Sequence, residues 1–113
     1  IFQFQSVIQM MISSKSLKDP VGVIKDHAID FVIYNAGTDC LVGDPLGNLN
    51  VSAEGIVKRD ELVFKQCLDN EIPVVMIMSG GYQQSNAEVI ANSIENLITK
   101  FNLIERKGKI VKE

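Results

Sequence analysis

The apolar residues of this chain change their spacing from segment to segment, and each change marks an element. Residues 31–34 and 74–78 are short unbroken apolar runs, the pattern of strands with helices on both sides. Between them, residues 53–68 put Ile56, Val63, Phe64 and Cys67 on one face at helical spacing. Lys58, Arg59, Asp60, Glu61 and Lys65 cover the rest, which reads as a solvated face. Ser52 is suited to cap that helix, and Asn70 and Pro73 to end it. Ser85-x-x-Glu88 has the form of a capping box, and Ile90, Ile94, Leu97, Ile98 and Phe101 predict a second amphipathic helix behind it. Upstream, Asp19-Pro20 fits an N-cap followed by proline and predicts a short helix to about Ala28, weakened by Gly22. Residues 1–12 are apolar-rich without a steady period, and 13–18 read as a polar loop. After Leu103 the tail turns basic and polar, as a fraying end does.

The order is helix, strand, long loop, helix, strand, glycine loop, helix. A strand–helix–strand crossover returns the second strand parallel to the first. This predicts an α/β fold, a parallel sheet with helices on both faces. The loops after the two strands then leave the same carboxyl edge, where open α/β sheets place their ligands. Two or three strands rarely form a stable domain alone, and the chain starts at Ile1 rather than Met. Both features lead us to expect a fragment of a larger domain.

Composition narrows the class. With 113 residues, 46% hydrophobic and 22% charged, the chain is at most one small globular domain. Its apolar runs are too short to span a bilayer, and the start lacks the basic residues of a secretory signal. A net charge of −3 gives no reason to expect direct nucleic-acid binding. Cys40 and Cys67, the two cysteines, read as reduced thiols of an intracellular protein.

The candidate chemistry sits in the two carboxyl-edge loops. Asp39 closes Asn35-Ala36-Gly37-Thr38-Asp39, where a carboxylate can bind Zn²⁺, Mg²⁺ or Ca²⁺, or simply organise the following loop. Ser79-Gly80-Gly81-Tyr82 has three readings. Its amides can cradle a phosphate, Tyr82 can donate to an oxyanion, or it is a plain strand-to-helix turn. The loop lacks the spacing of the glycine-rich nucleotide fingerprints. Asp44 belongs to the Gly43-Asp44-Pro45 turn, and nothing nearby marks Cys40 as a nucleophile. His27, the single histidine, precedes its strand and reads as solvated or capping. Hydrolytic zinc sites commonly use three protein ligands including His. This chain can therefore supply only part of one.

Asp30 to Asp39, Gly43-Asp44-Pro45-Leu46-Gly47, Gly55-Ile56-Val57-Lys58-Arg59-Asp60-Glu61 and Ser79-Gly80-Gly81-Tyr82-Gln83 closely resemble the histone deacetylase family. The wording is most similar to its class IV branch, and the likeness runs from about Asp30 to Leu97. The resemblance implies a partial arginase/deacetylase-like three-layer α/β/α domain belonging to a zinc-dependent lysine deacylase. It implies that Asp39 is a zinc ligand and that Tyr82 donates to the substrate carbonyl. Gly80 and Gly81 would shape the pocket floor. It also implies acyl-lysine protein substrates such as histone tails, and a nuclear or cytoplasmic setting. The family's first aspartate ligand, its histidine ligand and its paired-histidine base have no counterpart in this sequence. Zn²⁺ is therefore expected only in a completed site, and the chain alone is expected to be inactive.

The expected organisation is a non-matching segment over residues 1–20, the C-terminal part of a deacetylase-like catalytic domain over 21–104, and a polar tail over 105–113. The alternatives are a non-catalytic truncated product and a small phosphate- or nucleotide-binding α/β module.

Overall fold

The computed structural model describes residues 29–106. The predicted helix over 19–28, the segment before it and His27 lie outside them. In chain order the elements are β1 (Val32–Asn35), α1 (Ala53–Asp69), β2 (Val74–Ile77), α2 (Asn86–Phe101) and a final turn of helix, α3 (Leu103–Arg106). The two strands pair in parallel, Val32 opposite Val74 through Asn35 opposite Ile77. The predicted α/β crossover is present.

Period-two alternation in the strands sets the core. Val32 and Tyr34 point to one face with Val74 and Met76, and Val63 and Cys67 of α1 pack on them. Among the described residues α1 covers this face, while Ile33, Val75 and Ile77 stand exposed on the other. A second cluster lies under the loops, where Cys40, Leu41, Ile56 and Val89 meet with Val51 at its margin. It joins the loop after β1 to the first turns of both long helices.

Local chemistry explains the element ends. Ser52 caps α1, its side chain accepting the Gly55 N–H at 3.0 Å. Asn70 ends the helix, its side-chain amide donating to the Gln66 carbonyl at 2.7 Å. The capping box at α2 does not form: Ser85 has helical backbone angles and its side chain makes no cap bond. Asn102, in the left-handed conformation, closes α2, and the chain then makes α3; the rest of the tail expected to fray lies outside the described residues.

The buried stripe of α2 is also rotated from the predicted one. Asn86, Val89, Ser93 and Leu97 are inside, and Ile94 is exposed. The larger correction concerns α1. Arg59 and Asp60, read as solvated, are 8% and 1% exposed. Asp60 sits between Ile56 and Val63 on the apolar stripe, so the helix turns it inward. There it accepts hydrogen bonds from the Tyr34 hydroxyl and the Ser93 hydroxyl, each at 2.5 Å, and pairs with Arg59 at 2.9 Å. Burying this charge is tolerable because every oxygen is matched by a donor.

Candidate active-site segment

Parallel pairing brings both candidate loops to one edge. The ladder extends past β1, with the Ala36 N–H donating to the Ile77 carbonyl at 2.8 Å. One step further the Thr38 N–H donates to the Gly80 carbonyl at 2.6 Å. The loops are thereby hydrogen-bonded to each other directly beside Asp39.

Close approach is what the glycines permit. A Cβ at Gly80 would lie 2.5 Å from Asp39 Oδ2, so a larger residue there would displace the carboxylate. Gly81 has φ of 145° and lies over Thr38 and Asn86. On the other side of the loop, a Cβ at Gly47 would overlap the Asp39 carbonyl oxygen at 1.5 Å. Asp39 is thus enclosed by backbone at Gly47 and Gly80.

Asp44 does more than make its turn. Its Oδ1 accepts the Leu46 and Gly47 N–H groups, both at 2.9 Å, and its Oδ2 accepts the Tyr82 N–H at 2.9 Å. Burial works against ionisation of this carboxyl, yet the three backbone donors together hold it below the usual carboxylate range. Gln83 adds a second tie, its side chain donating to the Val42 carbonyl at 3.2 Å. Tyr82 itself is 58% exposed. Asp39, Gly80, Gly81 and Tyr82 therefore occupy one rim.

Both cysteines are free and buried. Burial pushes the Cys67 thiol up to about 11. Burial also raises Cys40, outweighing the Arg59 guanidinium beside it. Neither has the environment of an activated nucleophile.

Zinc can be tested against the donors present. Among the described residues no three His, Cys, Asp or Glu side chains come together. Asp39 brings one carboxylate to this rim, whereas common zinc sites use three protein ligands. Among the described residues, two buried amide oxygens, on Asn35 and Asn86, have no hydrogen-bond partner. Among the described residues no helix is long and apolar enough to cross a membrane.

Sequence reasoning missed Arg59, Asp60 and Ser93. The missed signal was positional: Asp60 and Ser93 fall on the buried stripes of their helices.

A parallel crossover with two interlocked carboxyl-edge loops defines an α/β protein with a ligand-binding type of edge. Residues 11–98 match the histone deacetylase domain, and the chain belongs to that family. It is 60% identical over 68 residues to a protein of Arabidopsis thaliana named histone deacetylase 2, covering 60% of this chain and 18% of that one. It is 32% identical over 102 residues to an uncharacterized protein of Picosynechococcus sp., covering 90% of this chain and 30% of the relative. The chain thus spans less than a third of the length of these curated relatives. No solved structure gives a significant match.

Proposed function

We propose that this chain forms one wall of the active site of a zinc-dependent lysine deacylase. Asp39 is a carboxylate ligand to the metal. Tyr82 is the phenol that donates to the substrate carbonyl as it becomes an oxyanion, and Gly80 and Gly81 form the floor between them. The observation that carries this reading is the Thr38 to Gly80 hydrogen bond of 2.6 Å, which sets the Asp39 carboxylate against the loop bearing Tyr82. Zn²⁺ in a completed site supplies Lewis acidity and a bound water that ionises near neutral pH. The first aspartate ligand, the histidine ligand and the histidine base come from other parts of the domain. The substrates are acyl-lysine side chains of proteins such as histone tails, in the nucleus or cytoplasm. The motif wording favours the class IV branch.

The phosphate-binding alternative meets an obstacle. The Tyr82 N–H, one of the loop donors a phosphate would need, is already taken by the Asp44 carboxylate. That carboxylate would also repel an anion.

A chimera tests the proposal. Residues 29–106 of this chain replace the matching segment of the Arabidopsis protein, and zinc content and hydrolysis of an acetyl-lysine peptide are measured. The chimera should bind zinc and turn over. Asp39→Asn should lower zinc per chain, whereas Tyr82→Phe should cut kcat by about 10²–10³ with zinc unchanged. Full activity in both variants would refute the assignment.

A further inference from the structure

We propose that Arg59 is the positioning residue for the loop that carries Asp39. This rests on the reading of Asp39 as a metal ligand.

The need arises where the chain leaves the sheet. Beyond Asn35 the regular strand register ends; the Ala36 and Thr38 N–H groups still reach the second loop, but Ala36 and Gly37 are buried and their carbonyls require donors. Arg59 reaches both from α1. Its Nη2 donates to the Ala36 carbonyl at 3.1 Å and its Nη1 to the Gly37 carbonyl at 2.7 Å. The same Nη1 lies 3.2 Å from Cys40 Sγ. One guanidinium therefore pins the backbone at the residues two and three before Asp39 and touches the side chain of the next residue after it.

The guanidinium is in turn held from behind. Its Nε and Nη2 each meet Asp60 Oδ1 at 2.9 Å, and its carbon lies 5.8 Å from the centre of the Tyr34 ring. Tyr34 and Ser93 fix Asp60. Groups from β1, α1 and α2 thus orient a planar fork whose free edge faces the loop. A lysine ammonium, a point charge without that fork, cannot hold two carbonyls and a carboxylate in one plane.

Two amides report the loop geometry: Thr38, bonded to the Gly80 carbonyl, and Leu41, bonded to the Thr38 carbonyl at 3.0 Å. Amide hydrogen exchange is measured by NMR on the full 113-residue chain. Arg59→Ala should speed exchange at Thr38 and Leu41 by about tenfold or more, while Leu97 and Ile98 in α2 stay within about twofold. A few millimolar guanidinium, about a hundredfold below denaturing levels, should restore protection, and ammonium should not. Arg59→Lys should show the same local loss, which keeps the test decisive where the alanine variant does not fold. Unchanged Thr38 and Leu41 exchange would overturn the proposal. So would a uniform rise across α2 in both variants that guanidinium does not reverse. A local response to Arg59→Ala with normal zinc in the Asp39→Asn chimera would sink the ligand reading of Asp39 alone. The opposite pattern would sink Arg59 alone.

Discussion

The chain's two tyrosines occupy opposite environments. Tyr34 is wholly buried, its hydroxyl donated to Asp60, and burial drives its ionisation far above the ordinary phenol range. Tyr82 is mostly exposed, held through its backbone N–H rather than its ring. One phenol is fastened so that the fold has a defined interior. The other is left at the rim with its backbone fixed and its side chain available. The difference teaches that residue type says little about role here, and that the polar interior and the loop rim are separate regions, with Arg59 bonded to both Asp60 and the loop carbonyls.

The comparison breaks most visibly at Asp60. Asp60→Ala leaves Arg59 as an unmatched buried charge and should cost about 3–5 kcal/mol in urea unfolding of the chain. A variant as stable as the parent would show that the interior network holds nothing together. Next in size, Tyr34→Phe should destabilise by about 1–3 kcal/mol, because Asp60 loses a donor. Tyr82→Phe should stay within about 0.5 kcal/mol on the same measurement. The reverse ranking would erase the distinction between the two rings.

Alkaline titration sharpens it further. Because the folded state holds the Tyr34 proton more tightly, its contribution is complete below the unfolded phenol value of about 10 and declines as pH rises above it. Phenolate absorbance should therefore show a step that coincides with loss of circular dichroism, and Tyr34→Phe should remove that step. The smallest effect belongs to Asp44, whose folded ionisation is lowered. Its contribution is present above about 3.9 and fades as pH falls through the folded value. Asp44→Asn should flatten the acid limb of melting temperature against pH. An unaltered limb would mean that the tie to Tyr82 adds no stability.

Much of the backbone was legible in the residue pattern because periodicity reports burial directly. The α1 stripe of Ile56, Val63 and Cys67, the Ser52 cap and the parallel crossover all follow from local spacing. The strand at 31–34 was read one residue early, since pairing with Val74–Ile77 sets its ends and that partner is remote in sequence. Arg59 and Asp60 escaped because a charged residue is ordinarily solvated. Only the combination of Tyr34, Ser93 and two loop carbonyls makes their burial favourable, and those partners lie 22 to 33 positions away. The predicted Ser85 cap failed for a related reason, as the chain enters α2 already helical at that residue. Asp39 and Tyr82 could be nominated from their loops, but the Asp44 tie between those loops spans 38 positions and has no local signature.

Gly47 carries a consequence for reading natural variation in this protein. It lies in the long connection between β1 and α1, a stretch where a geneticist would expect substitutions to be harmless. Its α-carbon nonetheless lies directly behind the Asp39 peptide. A missense change there, even to alanine, should behave like an allele of Asp39 itself, although the altered residue contributes no functional group at all.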